Sequence, residues 1–311
     1  MHVQDENPYC EETMAYLNAH CHLELSFLQG KIPPGLPFAH WLERVVAARR
    51  GLTTHEAKDA AARFAVNELQ NMIQDDTRVL LDIDSLGFHV NAKEFPSLKL
   101  IRYQELICFR PEHARPILTH ANSRQAAHGS CFSPHSPYTV CEPLLALLGN
   151  NRASQNLCIH LAETQEEADF TTTGTGPLRE FFESIGALPP GWKAPGRRPV
   201  EVLERQKLLT PRTLLVHCNH LTEFERHLIA QRGCSVVVCP GTHVYFERNE
   251  FPLKRLKDAG IPVYLGTDSL ASNAELSMKR EIELACQLSP GVNTEWIAGL
   301  ASAERNLKFL G

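Results

Sequence analysis

The sequence predicts an α/β protein, a (β/α)8 barrel of the TIM type, from three observations. Short apolar runs alternate with longer amphipathic stretches, as strands and helices do in βα units. Eight such runs can be counted, which favours closure into a barrel over an open sheet. Several histidines follow these runs directly, at the face where a barrel enzyme places its chemistry. No repeat or linker divides the chain, so residues 1–311 are predicted to form a single domain.

The predicted elements follow the chain in order. Strands are expected at 14–19, 79–84, 98–107, 129–133, 156–160, 213–217, 235–239 and 262–266. Helices are expected at 37–50, 55–75, 143–148, 176–185, 200–207, 223–231, 252–259 and 275–287. The segment 188–199 is rich in Pro and Gly, and it is predicted to form a loop over the barrel mouth.

Composition argues against two classes of partner. The formal charge of −5 leaves no basic footprint for a phosphate backbone, so no nucleic acid is expected. No apolar run approaches the roughly 20 residues of a membrane span, and the N-terminal residues lack a signal peptide. A cytoplasmic protein without membrane contact is therefore predicted. The 10 cysteines are scattered without a CxxC pair, which indicates reduced thiols.

His20 and His22 are the first candidate metal ligands. They follow the apolar run of the first strand, and side chains alternate between the two faces of a strand. Both imidazoles are therefore expected on one side, where they can bind one cation. Cys21 should face the other side and serve in packing.

Three further strand ends carry polar side chains. His160 ends the fifth strand and is followed by Glu163, His217 ends the sixth strand, and Asp268 ends the eighth. The carboxyl ends of barrel strands meet at one face, so these groups are expected to lie together. Nitrogen and carboxylate ligands suit zinc, and also iron or manganese. A metal with an open coordination position can activate water for hydrolysis.

The chain resembles the amidohydrolase superfamily in five motifs that occur in family order. They read NAHCHLELS, SPHSPYTV, IHLAET, LLVHCNHL and LGTDSLASN. The resemblance is closest to the branch of hydrolytic deaminases and chlorohydrolases that act on adenine-like or triazine rings. It implies that one metal ion is held by His20, His22, His160 and Asp268.

The resemblance also implies the catalytic roles. His217 either ligates the metal or orients the attacking water, and Asp268 accepts or orients the proton of that water. Glu163 moves protons and delivers one to the departing amine. Binuclear relatives bridge two metals through a lysine on the fourth strand, which here reads GSCFSPH. One divalent metal is therefore implied, with zinc expected and iron or manganese as alternatives.

Substrate contacts are expected from His135, which the family places against the substrate, and from Glu105 and Arg110. Glu105 can contact a ring nitrogen, and Arg110 can pair with a substrate carboxylate. Each has an ordinary alternative, since His135 can cap or pack, Glu105 can lie at the surface, and Arg110 can be a solvated loop charge. Arg198 is a similar loop candidate. His243 stands where better-known members carry serine or asparagine, which indicates a distinct pocket.

The activity implied is hydrolytic deamination of a small-molecule adenine nucleoside, with 6-amino-6-deoxyfutalosine of menaquinone biosynthesis as the leading candidate. Alternatives in the same class are deamination of 5′-methylthioadenosine or S-adenosylhomocysteine, and a triazine chlorohydrolase. A catalytically inactive barrel that serves as a binding protein is the alternative from another class. Members of the family commonly form oligomers, which leaves a homo-oligomer open. The β-sandwich that usually flanks the barrel is expected to be absent or vestigial.

Overall fold

The computed structural model describes residues 14–88, 90–128, 131–150 and 156–305. The strands are β1 Tyr16–Cys21, β2 Thr77–Asp84, β3 Lys99–Leu106, β4 Cys131–Pro134, β5 Leu157–Leu161, β6 Thr213–His217, β7 Ser235–Val238 and β8 Val263–Leu265. The helices are α1 Phe38–Arg50, α2 Thr54–Gln74, α3 Ala114–His128, α4 Glu142–Asn150, α5 Gln165–Thr173, α6 Pro177–Ser184, α7 Pro199–Arg205, α8 Glu223–Arg232, α9 Pro240–Tyr245, α10 Leu253–Asp258, α11 Met278–Leu288 and α12 Thr294–Gly299.

The strands form one parallel sheet of eight, in the order β1 to β8. Its two edges meet, because Cys21 at the end of β1 forms a parallel bridge with Asp268 after β8. The backbone N–H groups of Thr267 and Asp268 both donate to the carbonyl of His20, at 3.0 and 3.1 Å. The sheet is thereby joined into a barrel surrounded by helices, which confirms the predicted fold class.

Two apolar layers hold the barrel. The inner layer is built from strand residues and from Cys239, which directly follows β7: Leu17, Ala19, Leu81, Ile83, Tyr103, Cys158, Leu214, Val216, Val237, Cys239 and Tyr264. The outer layers lie between the sheet and the helices and contain Cys21 on one side and Cys218 on another. The predicted packing role of Cys21 is confirmed, and Cys218 packs in the same way. All nine cysteines in the described ranges are free thiols.

Helix boundaries are fixed by capping side chains. The hydroxyl of Thr222 accepts the N–H of Glu225 at the start of α8, and the Glu225 carboxylate accepts the N–H of Thr222. Ser277 accepts the N–H of Arg280, so α11 begins three residues later than predicted. Four helices were not predicted: α3, α5, α9 and α12. Within the ranges that the structure describes, no helix is long and apolar enough to cross a membrane.

Candidate metal and active site

Three histidine side chains converge at the carboxyl end of the barrel. The Nε2 atom of His160 lies 3.2 Å from Nε2 of His22 and 3.2 Å from Nε2 of His20. All three rings are buried. His160 is 140 positions from His20 and 138 from His22 in the sequence, and closure of the barrel, with β5 opposite β1, brings them together.

The backbone of β1 is irregular, and this directs the side chains of His20 and His22 toward His160. Leu17 and Ala19 face the barrel interior, so regular alternation would point His20 outward. The pairing of β1 with β2 shifts register between Asn18 and Cys21. This irregularity allows His20 and His22 to share the interior face, as predicted, although simple alternation does not account for their direction.

His160 and Asp268 are each oriented by a second contact. Nδ1 of His160 donates to the carbonyl of His135 at 2.9 Å, which leaves Nε2 as the bare nitrogen. Oδ2 of Asp268 accepts hydrogen bonds from Thr242 and Ser272, at 3.1 and 3.0 Å. Its Oδ1 therefore faces the histidines, 3.7 Å from Nε2 of His20 and 3.9 Å from Nε2 of His22.

The charge states suit a cation. Burial, reinforced by neighbouring imidazoles, lowers the pKa of His22 and of His160 well below the ordinary value. Burial would raise the pKa of Asp268, but its hydrogen bond with His20 and the surrounding imidazoles hold that pKa well below its usual range. The neutral imidazoles of His22 and His160 and the ionised carboxylate of Asp268 present lone pairs that a shared cation can accept. His20, His22, His160 and Asp268 thus fit a divalent metal.

Glu163 lies at the rim of this cluster. Its Oε2 is 3.6 Å from Nε2 of His217, and its Oε1 accepts a hydrogen bond from Nη2 of Arg248 at 2.7 Å. Burial lowers the pKa of His217, so that ring is neutral near pH 7. Glu163 is itself positioned through its backbone, whose N–H donates to Glu167 at 2.8 Å.

The strand ends that carry these groups are conformationally strained. Ala162, His217, Cys218 and Asp268 all adopt positive φ, at 50°, 73°, 54° and 57°. Left-handed backbone is unfavourable for residues with a Cβ atom, by about 1–3 kcal/mol for each position. At β6 the interior positions are Leu214 and Val216, so the left-handed turn at His217 accounts for its inward direction.

His135 and Glu105 also lie close to His160. One ligand-type atom from each of the three residues lies within 4.8 Å of the others. Burial lowers the pKa of His135 to about 4, and its Nδ1 is hydrogen-bonded to Thr139 at 2.7 Å. Burial and nearby carboxylates, Glu24 first, raise the pKa of Glu105 to about 8. Its Oε1 is buried without a hydrogen-bond partner within the described ranges.

The loop arginines behave differently from one another. Arg110 is half-exposed, with its guanidinium 4.0 Å from Glu112, and none of its described contacts reaches the histidine cluster. Arg198 is held by Glu225, with Nε–Oε1 at 2.8 Å and Nη2–Oε2 at 3.1 Å, so its guanidinium is already engaged. The arginine that does reach the site is Arg248, which the sequence reasoning missed.

A cavity of about 540 Å³ adjoins Arg248. Its wall includes His220, His243 and Arg255. Burial lowers the pKa of His243 to about 4, and in this part of the structure neither of its ring nitrogens has a hydrogen-bond partner. This cavity lies between the segments that follow β6 and β7, and His243 forms part of its wall.

Known proteins match the chain over most of its length. The amidohydrolase family model matches residues 120–303. Aminodeoxyfutalosine deaminase of Deinococcus radiodurans is 30% identical over 304 residues, which cover 89% of this chain and 68% of that protein. The 5-methylthioadenosine/S-adenosylhomocysteine deaminase of Nitratidesulfovibrio vulgaris is 28% identical over 279 residues, which cover 86% of this chain and 58% of the relative.

Solved structures share the fold. Helicobacter pylori aminofutalosine deaminase, in complex with methylthio-coformycin, superposes with a TM-score of 0.77 at 18% identity. The match covers 93% of this chain and 71% of that one. A zinc-bound adenosine deaminase from Xanthomonas campestris gives a TM-score of 0.69 at 23% identity, covering 90% of this chain and 61% of that one.

Proposed function

Because the chain belongs to the amidohydrolase family, we propose that it is a metal-dependent hydrolytic deaminase of an adenine nucleoside. The observation that carries the proposal is the position of Glu163 beside the histidine cluster. Its carboxylate lies 3.6 Å from His217 and only three residues beyond His160. This carboxylate lies next to four groups that fit a metal, and we propose that it transfers protons there.

Zinc is the metal we propose for His20, His22, His160 and Asp268. Three imidazole nitrogens and one carboxylate oxygen are ligands that zinc favours, and iron or manganese accepts the same set. The zinc in the Xanthomonas campestris structure supports the same choice. When bound, the metal supplies Lewis-acid activation of water near neutral pH.

The residues around it divide the proton transfers. Glu163 accepts a proton from the attacking water and passes it to the amino nitrogen, which leaves as ammonia. His217 orients the water, since its neutral ring can accept a hydrogen bond. His135 and Glu105 lie next to His160, and we propose that they contact the ring of the substrate.

The substrate we propose is 6-amino-6-deoxyfutalosine, whose deamination belongs to menaquinone biosynthesis. The support is the 30% identity with aminodeoxyfutalosine deaminase of Deinococcus radiodurans. The second candidate is 5′-methylthioadenosine or S-adenosylhomocysteine, supported by the 28% identity with the Nitratidesulfovibrio vulgaris enzyme. All of these substrates share an exocyclic amine on an adenine ring, so the same residues serve each of them.

The test is ammonia release from a panel of adenine nucleosides, with the metal content of each preparation measured by mass spectrometry. Release from aminodeoxyfutalosine that is abolished by a chelator is the expected result. Faster release from methylthioadenosine or S-adenosylhomocysteine would transfer the assignment to the second candidate. Chloride release from a chlorotriazine would indicate a chlorohydrolase. Protein that binds no metal and releases no ammonia would indicate a binding protein.

A further inference from the structure

Arg248 makes a buried ion pair with Glu163. The Nη2–Oε1 distance is 2.7 Å, and the two side chains are 12% and 8% exposed. The Arg248 guanidinium also lies 4.6 Å from the centre of the Phe246 ring, which restricts its movement. A charge-assisted hydrogen bond of this length in a buried setting fixes the direction of the carboxylate.

Only one side of the Arg248 guanidinium is used. Its Nη1 atom is buried and has no hydrogen-bond partner among the residues that the structure describes. A buried donor without an acceptor is unfavourable, and this N–H group is therefore available to donate to a bound molecule. The two other arginines of the adjoining cavity are engaged, Arg198 by Glu225 and Arg255 by Glu250.

The position of Nη1 limits which part of a substrate it can reach. Nη1 and Nη2 belong to one rigid, planar group, so an acceptor bound to Nη1 lies close to the Glu163 carboxylate. Glu163 must itself come within hydrogen-bonding distance of the reacting part of the substrate. The acceptor is therefore an atom of the heterocyclic ring, and not of the distal arm.

We propose that Arg248 has two functions in this site: Nη2 positions Glu163, and Nη1 donates a hydrogen bond to an acceptor atom of the ring being deaminated. This inference rests on the proposed function. Arg248 is then a determinant of both turnover and ring recognition, although it lies outside the metal-ligand set.

The two functions can be separated by substitution. Arg248→Met removes both, so kcat should fall about 10- to 100-fold and KM should rise about 10-fold. Arg248→Lys retains one cationic donor toward Glu163, so kcat should largely recover while KM stays high. Arg255→Met is the matched control, because Arg255 is also paired with a glutamate and lines the same cavity, but does not contact Glu163. It should leave both constants unchanged.

A second readout does not depend on turnover. Calorimetry with the deaminated nucleoside should give a dissociation constant about 10-fold weaker for both Arg248 variants than for wild type and Arg255→Met. Metal content should match across the four proteins, and each variant should remain folded at the temperature of the measurement. Equal product binding by all four, or a Lys variant with the same kcat as the Met variant, would overturn the proposal. If wild type binds no adenine-derived nucleoside and releases no ammonia, the proposed function itself is wrong.

Discussion

Glu163 is held in place at the scale of single residues by contacts with both its carboxylate and its backbone. Arg248 and His217 face its two oxygens, and Glu167 accepts its N–H. A carboxylate fixed in this way can exchange protons without first reorganising. The metal-binding groups are separate from it, so catalysis and metal binding should respond to different substitutions.

Substitution of Glu163 by Gln should abolish most turnover while metal remains bound. The amide keeps the size of the side chain but cannot carry the proton, so a loss of about 10²- to 10⁴-fold in kcat is expected. Ammonia release and metal content measure the two effects in one preparation. Glu180→Gln, at an exposed position of α6, is the control and should behave as wild type. Substantial activity of the Gln variant would refute the proton-transfer role.

Substitution of His160 by Ala should instead remove the metal. His160 is the ring whose Nε2 contacts both β1 histidines, so its loss opens the centre of the cluster. We expect less than one metal ion per chain after dialysis and no ammonia release. The control is His113→Ala, which changes an exposed histidine. Full metal occupancy in the His160 variant would show that the cluster is not the metal site.

The eight strands were predictable as elements because apolar runs ended by turn residues are local signals. The polar groups at their ends were predictable for the same reason, since barrel topology gathers strand ends at one face. Arg248 was not, because it lies in the polar run FERNE and its partner Glu163 is 85 residues away. Helix α3 was missed because ARPILTHANSRQAAH mixes apolar and polar residues without a clear face.

Gly266, between β8 and Asp268, allows the barrel edges to approach. A Cβ atom there would lie 2.8 Å from Cγ1 of Val237 and 2.9 Å from Cβ of His20. Gly266→Ala should therefore destabilise the fold by about 1–3 kcal/mol and weaken metal binding through displacement of His20. Urea unfolding and metal titration measure both effects. Gly299→Ala in α12, where nothing lies within 4 Å, is the control.

Four buried carboxyl groups distinguish the molecule as a whole. Burial raises the pKa of Asp82 to about 7, and those of Glu105, Glu167 and Glu281 to about 8. The folded chain therefore binds protons that the unfolded chain has already released. The stability that these protons contribute is present at low pH. It is lost as the pH rises through the pKa values of the four groups in the folded chain.

Glu167→Gln should reduce this pH dependence. Between pH 4.5 and about 8, the unfolding free energy of wild type should fall relative to that of the variant. In this range the Glu167 carboxyl group stays protonated in the folded chain but is ionised in the unfolded chain, and glutamine has no such proton. Urea unfolding of both proteins at several pH values gives the difference, in which changes in metal occupancy cancel. Glu112→Gln, at an exposed position, should show no such trend. A constant difference for Glu167→Gln would contradict the raised pKa.

The residues with left-handed backbone at the strand ends affect how such a chain can evolve. Ala162, His217, Cys218 and Asp268 hold unfavourable backbone at the rim. Glycine at Ala162, which removes only a methyl group, should relax that backbone and make the chain more resistant to heat. Selection for heat resistance alone would therefore replace these strand-end residues before it replaced residues of the barrel core. Catalysis would then be lost while the fold persisted.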